Sequence, residues 1–102
     1  MPKKARRLPP VHPGEILQED LLKPLGISIN RLGRDLRVPV TRVSEIVNGR
    51  RGITADTALR LARYFSTTPE FWMNLQSTYD LESAQRASAD RIERDVHPRE
   101  AA

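Results

Sequence analysis

Side chains able to contact nucleic acid are concentrated between residues 40 and 51 of this 102-residue chain. Thr41, Arg42 and Ser44 lie close together there, and Arg50 and Arg51 follow a few residues later. An arginine can donate two hydrogen bonds to O6 and N7 of a guanine, and a threonine or serine hydroxyl can bond a base or a phosphate. Arginines just past the end of a helix are suited to phosphates. The residue types therefore predict a surface that binds DNA.

The elements that must position these residues form a helix-turn-helix. Ser28 is a suitable N-cap for a helix that ends near Leu36. The residue before Pro39 avoids helical backbone, which predicts a break, and a third helix follows over residues 40–48. Gly49 is the expected left-handed stop of that helix. So short a connection produces an angled pair of helices, which presents the start of its second helix to the major groove.

Three further helices are predicted around this pair. The first covers about residues 13–23 and is expected to end at Pro24, the fourth starts after Thr54, and the fifth starts after Thr68 and frays near Gln85. No strand pattern competes, so the predicted fold class is all-α with five helices. The apolar residues that recur at helical spacing, and so form the expected core, are Leu17, Leu21, Leu32, Leu36, Val43, Ile46, Val47, Ala58, Leu61, Ala62 and Phe65.

The predicted DNA-binding surface comprises the outer side of the third helix and its basic flanks. Val40 can contact a thymine methyl group, and Arg42 is the residue expected to read a base. An alternative interpretation is that the arginines form a solvated face of a helical bundle. The full predicted set is Arg34, Arg37, Val40, Thr41, Arg42, Ser44, Glu45, Asn48, Arg50 and Arg51.

The distribution of charge favours a polyanionic partner. Net charge is +4: residues 28–54 carry six arginines against two acidic residues, residues 1–11 add four positive charges, and residues 80–102 hold six acidic residues against four arginines. We divide the chain into a flexible basic arm at 1–11, a helix-turn-helix domain with a C-terminal dimerisation helix at 12–81, and a charged tail at 82–102 that frays or is disordered. The arm could enter a minor groove, attract phosphates without specificity, or have no role.

The composition argues against an enzyme, a metal site and a membrane protein. There is no cysteine, so disulfides, zinc–thiolate sites and thiol nucleophiles are excluded. His12 and His97 lie at opposite ends of the chain, which argues against a shared metal or catalytic dyad, and His12 is instead expected at the start of the first helix. The carboxylates of Asp80, Glu82 and Asp90 are interpreted as solvating charges. With no signal peptide, membrane span or phosphate-binding glycine loop, we expect a cytoplasmic protein without a cofactor.

Aromatic residues on the fifth helix can belong to the core or to a contact between subunits. Phe71 and Leu75 are expected in the core. Trp72 and Tyr79 are left open between the core and a dimer seam, where aromatic residues are enriched. The predicted dimer interface accordingly comprises Trp72, Leu75 and Tyr79.

Three segments carry a family resemblance: HPGEIL at 12–17, SEIVNGRRGITADTALRLARYF at 44–65 and TPEFWMNLQSTYDL at 68–81. Together they closely resemble the HigA-type antitoxins, a branch of the Xre/Cro-like helix-turn-helix proteins, over about residues 12–81. The resemblance implies a five-helix, lambda-repressor-like fold and a homodimer on a palindromic operator. It also implies autorepression and the neutralisation of a small HigB-type ribonuclease toxin of the RelE class.

A toxin that acts on RNA is expected to be basic, so the resemblance directs the search for its docking site to acidic surfaces. We predict that Glu15, Glu19 and Asp20 on the first helix bind the toxin, with the acidic end of the chain after Asp80 as the alternative. Two other functions remain open: a stand-alone repressor of the same family with no toxin partner, and a protein-interaction bundle that does not bind DNA.

Three residues depart from the family pattern in the helix-turn-helix. Ile29 occupies a position where a phosphate-binding glutamine is usual, Gly33 replaces a common alanine at the helix crossing, and Arg37 replaces the turn glycine. Glycine weakens the helix by roughly 1 kcal/mol, and an arginine is strained if the turn requires positive φ. Because the side chain of Ile29 has no hydrogen-bonding group, these departures argue against the helix-two phosphate contact and against reading the operator sequence by analogy with the family.

Overall fold

Helices form all the regular secondary structure of residues 8–100, the part of the chain that this computed structural model describes. Helix α1 is continuous through Pro13–Ile16, a π-helical segment Leu17–Leu22, and Lys23–Leu25. The others are α2 Ile29–Leu36, α3 Val40–Val47, α4 Ala55–Phe65 and α5 Pro69–Asp95. The predicted all-α class with five helices is confirmed. Residues 1–7, most of the predicted basic arm, lie outside the described part.

Four of the five predicted helix starts are confirmed by hydrogen bonds from a backbone N–H to a side chain, the exception being the start of α3 at Val40. The hydroxyl of Ser28 accepts the Arg31 N–H at 3.0 Å, and the Thr54 and Thr68 hydroxyls do the same for the helices that follow them, at 3.4 and 3.1 Å. At α1 the cap is His12, whose Nδ1 accepts the Gly14 N–H at 2.9 Å. Each bond satisfies a donor that a helix start would otherwise leave unpaired.

The prediction that Pro24 ends the first helix is wrong. The chain stays helical through Leu25. The helix ends at Gly26, which adopts left-handed backbone at φ 66°. The residues just before the proline are π-helical, so the Lys23 N–H bonds to the Gln18 carbonyl five residues back. A wider π-helical turn relieves the contact between a proline ring and the preceding turn, which lets α1 pass through Pro24.

The core lies where the helical spacing of apolar residues predicts it. Leu32, Val43, Ile46, Ala58 and Leu61 are each no more than 2% exposed. Helix α1 packs closely on α3: a Cβ added at Gly14 would lie 1.7 Å from the Ile46 carbonyl oxygen. Only a glycine fits at that crossing, which fixes α1 against the back of the helix that carries the predicted DNA contacts.

Helix α5 presents a different face to the core than expected. Phe71, predicted as core, is 42% exposed, whereas Trp72 is completely buried and donates its indole N–H to the Thr67 hydroxyl at 2.9 Å. Trp72 therefore has no surface for a partner and must be removed from the predicted dimer interface. Leu75 and Tyr79 are half-buried and keep part of their surface outside.

Helix α5 is also longer than the pattern suggests. It continues ten residues beyond Gln85 and ends at Asp95. Its second half is rich in alanine and arginine, which sustain a helix without burial. From Leu81 onward the side chains are mostly exposed. The division of the chain into arm, domain and tail stays a prediction.

Candidate nucleic-acid interface

The turn between α2 and α3 is tight, and its geometry follows from two residues. Arg37 adopts left-handed backbone at φ 62° and ψ 42°, so the turn does require positive φ. The Val38 N–H then bonds the Gly33 carbonyl at 3.0 Å, and Val38 is buried. A Cβ on Gly33 would come within 3.2 Å of Val40 Cγ2, so the two helices cross almost in contact. This crossing holds the start of α3 at a fixed angle to α2.

The start of α3 is the part that protrudes. Val40 is 39% exposed, and Thr41 is exposed beside it. Ser44 and Glu45, one turn later, are half-buried. Asn48 is exposed at the far end, where its amide donates to the Ser44 carbonyl at 2.9 Å. The side chains predicted to meet DNA therefore share the outer face of α3, which is exposed at both ends of the helix.

Arg42 does not point freely outward with them. Its side chain is 32% exposed, and its Nη1 lies 3.7 Å from Oδ2 of Asp56 in the first turn of α4. Asp56 also accepts from Arg60 Nε at 2.8 Å, a hydrogen bond that lowers its pKa below the usual value. Arg60 in turn donates to the Leu36 carbonyl at 2.8 Å, which links the ends of α2, α3 and α4. To read a base, Arg42 must exchange the Asp56 carboxylate for DNA.

Arg51 has a carboxylate partner as well. Its Nε donates to Glu45 Oε1 at 2.7 Å, between side chains that are nearly half exposed. Arg50 is exposed, and its backbone N–H bonds the Glu45 carbonyl at 2.8 Å. Glu45 was predicted only as part of the DNA-facing set. The structure shows that it also orients the basic residues that follow α3.

Arg34 and Arg37 occupy the flank formed by α2. Both are exposed and border an open depression together with Asp35 and Tyr64. The Tyr64 hydroxyl donates to Asp35 at 2.6 Å, which lowers the pKa of that carboxyl group and raises that of the phenol. All ten predicted DNA-binding residues thus lie on α2, α3 and the segments that follow these helices. Whether each contacts DNA stays a prediction.

Sequence reasoning missed two contributors to this surface, Asp56 and Arg60. Asp56 reads in the sequence only as an acidic residue in the first turn of a helix, where it is common. Its pairing with Arg42 depends on how α4 docks against α3, for which the sequence holds no local signal.

The other predicted surfaces lie on different elements. Glu15, Glu19 and Asp20 are exposed on α1, and Glu19 forms an ion pair with Lys23 at 2.9 Å. Tyr79 on α5 packs edge-to-face on the His12 ring, with centroids 4.8 Å apart. Within residues 8–100, no group of three potential metal ligands converges, and no helix is long and apolar enough to cross a membrane.

Comparison with known proteins identifies the family. The helix-turn-helix family model matches residues 19–72. Virulence-associated protein I of Dichelobacter nodosus is 49% identical over 86 residues, which is 84% of this chain and 80% of that protein. An antitoxin HigA of Pseudomonas aeruginosa, solved with the higBA promoter, is 48% identical with a TM-score of 0.85, and the match covers 87% of this chain and 97% of that one.

A second solved structure supports the same family. An addiction module antidote protein of the HigA family from Coxiella burnetii is 52% identical with a TM-score of 0.84, and the match covers 90% of this chain and all of that one. These identities extend over most of both chains and include the helix-turn-helix. The chain therefore belongs to the helix-turn-helix family and, within it, to the HigA-type antitoxins.

Proposed function

We propose that the protein is a DNA-binding antitoxin that represses its own operon and neutralises a HigB-type ribonuclease toxin of the RelE class. The observation that carries the DNA-binding part is the start of α3, where Val40 and Thr41 protrude from a tightly crossed helix pair. Six arginines lie within residues 28–54, on α2, on α3 and in the segments that follow these two helices. A protruding helix end with basic flanks is the arrangement that enters a major groove. A relative with the same fold is solved with promoter DNA.

Within this surface, Arg42 and Arg51 have different roles. Arg42 lies in the first turn of α3 and is placed to read a base once it leaves Asp56. Arg51 lies beyond α3, where it is placed to contact a phosphate. A base-reading contact contributes to specificity, whereas a phosphate contact contributes to affinity for every sequence.

The test measures both variants against two duplexes. One duplex is selected from random-sequence DNA by the unaltered protein, and the other is an unselected mixture. Arg42→Ala should cost about 1–3 kcal/mol on the selected duplex and relax discrimination at one base pair, while Arg51→Ala should weaken both duplexes by a similar factor. Arg94→Ala, in the exposed second half of α5, is the charge-matched control and should change neither. An equal loss on both duplexes for Arg42→Ala contradicts its base-reading role.

For the toxin we propose a contact on α1, centred on Glu15 and Glu19. An acidic surface suits a basic partner, and the DNA-facing arginines do not. Both carboxylates are exposed, so neither must be uncovered for docking. A separate surface also lets one molecule hold toxin and operator together. The proposal derives from family membership and charge.

The toxin contact is tested by co-expression with a neighbouring HigB-type toxin. The variant with Glu15→Lys and Glu19→Lys should lose the ability to rescue growth, whereas a chain truncated after Leu81 should keep it. Rescue by the first variant and failure of the second would place the contact on the C-terminal tail. If the unaltered protein binds no neighbouring toxin at all, the protein is a stand-alone repressor.

A further inference from the structure

The segment that follows α3 rests on a buried polar side chain from a distant part of the chain. Gln76 on α5 is only 9% exposed, and its Oε1 accepts the Ile53 N–H at 2.7 Å. Its Nε2 donates to Asp80 Oδ1 at 2.9 Å, so both ends of the amide are used. The segment 49–53, which we call the basic loop, carries Arg50 and Arg51 and is tied to α5 by this bond.

His12 holds the same loop from the other side. The imidazole caps α1 through Nδ1 and forms a second hydrogen bond with the backbone of Arg51. Its ring packs against Tyr79 of α5 and lies within 4 Å of the position that a Cβ on Gly49 would occupy. The loop backbone is thus hydrogen-bonded at Arg51 by α1 and at Ile53 by α5.

Close packing around these two bonds leaves the backbone of the basic loop little room to move. A Cβ added at Gly52 would lie 2.9 Å from Gln76 Nε2, so the loop backbone sits directly on the amide. Ile53 is 3% exposed and anchors the loop at its C-terminal end. Loops usually leave their backbone groups to water, whereas this one is fixed by two side chains at sequence separations of more than twenty residues.

Such fixation has a direct consequence for DNA binding. Phosphates occupy set positions along a duplex, and a basic loop that already has the matching shape loses less conformational entropy when it binds. We propose that Gln76 is a positioning residue for DNA binding, with His12 as its counterpart on α1. It sets the direction of the Arg50–Arg51 backbone and makes the phosphate contacts depend on how α5 and α1 are packed. This inference rests on the proposed DNA-binding function.

The test replaces Gln76 by Met, which keeps the side-chain length and removes both hydrogen bonds. Gln18→Met, at a half-buried position on α1, makes the same substitution away from the basic loop and is the matched control. Binding to the selected duplex is measured at several salt concentrations under conditions where circular dichroism shows each variant folded. Gln76→Met should weaken binding about tenfold or more and lower the salt slope by about 1–2, since each phosphate contact contributes about 0.9. Gln18→Met should change neither quantity.

Two further measurements separate positioning from general stability. In a background with Arg50→Ala and Arg51→Ala, Gln76→Met should have less than a twofold effect, because there is no basic pair left to position. In the double variant Gln76→Glu with Asp80→Asn, the residue 76 carboxylate can still accept from the Ile53 N–H and can also accept from the new amide at residue 80. This variant should restore both the affinity for the selected duplex and the salt slope. Full additivity, or an unchanged slope for folded Gln76→Met, overturns the inference.

A measurement on the unaltered protein decides the matter if Gln76→Met does not fold. The Ile53 amide should exchange with solvent as slowly as the amides of the core, before DNA is added. Fast exchange there overturns the positioning role. If the unaltered protein binds neither duplex at low salt, the DNA-binding proposal itself is wrong, which the Gln76 comparison by itself cannot show.

Discussion

Half of the six arginines in residues 28–54 face a carboxylate in the folded chain. Arg31 pairs with Asp35, Arg42 with Asp56, and Arg51 with Glu45, at distances of 2.7–3.7 Å. Exposed pairs of this kind contribute little to stability, typically about 0–1 kcal/mol. The pairs of Arg31 and Arg51 are formed through Nε, which leaves the Nη donors of both side chains available to a phosphate. Arg42 is paired through Nη1, so in the proposed complex it would have to leave Asp56 before it could donate two hydrogen bonds to a guanine.

Arg37 is strained in the turn of the helix-turn-helix, and the strain can be removed. A non-glycine residue at φ 62° stores of order 1 kcal/mol or more. Arg37→Gly should raise the free energy of unfolding by about 1 kcal/mol in urea titrations. Arg34→Gly, one turn earlier within α2, should lower it by a similar amount because the backbone there is helical. Equal effects of the two variants on stability would contradict this account of the turn.

His12 makes stability depend on pH. Burial lowers the pKa of its imidazole below 6.5, although the charges of Asp80 on α5 and Glu15 on α1 and the bond to the Arg51 backbone act in the opposite direction. A histidine whose pKa is depressed in the folded state stabilises the protein above its unfolded pKa and loses that contribution as the pH falls through 6.5 toward the folded value. Protonation also converts Nδ1 from acceptor to donor, which breaks the cap on Gly14.

The measurement compares the thermal unfolding midpoint of the unaltered protein with that of His12→Asn between about pH 8 and about pH 5.5. Asparagine is a good N-cap that does not titrate in this range. The difference between the two proteins should shrink or reverse as the pH falls. A constant difference would show that the pKa of His12 is the same in the folded and the unfolded chain.

At the scale of elements, some features were predictable from the sequence and others were not. The two groups have separate physical causes. Helix starts were predictable because Ser28, Thr54 and Thr68 act on backbone groups only three residues away. The buried faces of α2, α3 and α4 were predictable because apolar spacing alone defines them. The continuation of α1 through Pro24 was not predictable, because it depends on a π-helical segment that no local pattern indicates.

The candidate site shows the same division. The position of the DNA-facing residues on α3 follows from the inward Val43 and Ile46. The partners of Arg42 and of the basic loop, Asp56 and Gln76, come from helices that reach them only after tertiary packing. Contacts between distant segments leave no periodic signal in the chain, so sequence reasoning could delimit a candidate surface but not the side chains that shape it.

The orientation of α5 gives a prediction at the scale of elements. Trp72 is buried and Phe71 is 42% exposed, although the two are adjacent and both aromatic. Trp72→Ala should cost about 3–5 kcal/mol of unfolding free energy through the cavity it creates and the lost bond to Thr67. Phe71→Ala should cost about 1 kcal/mol. Urea titration of both variants checks this, and a larger loss for Phe71→Ala would mean that α5 is rotated.

The whole molecule is elongated, with extents of 54 × 35 × 23 Å, because the second half of α5 projects beyond the other helices. Leu81 and Ile92 on that projection are 59% and 51% exposed. They lie eleven residues apart, about three helical turns, and so share one side of the helix. Tyr79, two residues before Leu81, faces a different side and packs on His12. Since Trp72 is unavailable too, we expect a second copy to pack along the side of α5 that carries Leu81 and Ile92.

A dimer of this kind leads to the last prediction. One small domain makes few base contacts, whereas two copies related by a two-fold axis place their α3 helices roughly 34 Å apart, one turn of DNA. Sedimentation at micromolar concentration should therefore show a dimer. Inserting about five base pairs at the centre of the selected duplex turns one half-site to the opposite side of the helix, so affinity should fall to that for unselected DNA. The same insertion outside the site should have no effect. A monomer in solution and on DNA, or a central insertion without consequence, would show that each chain binds alone and that the projecting end of α5 has another use.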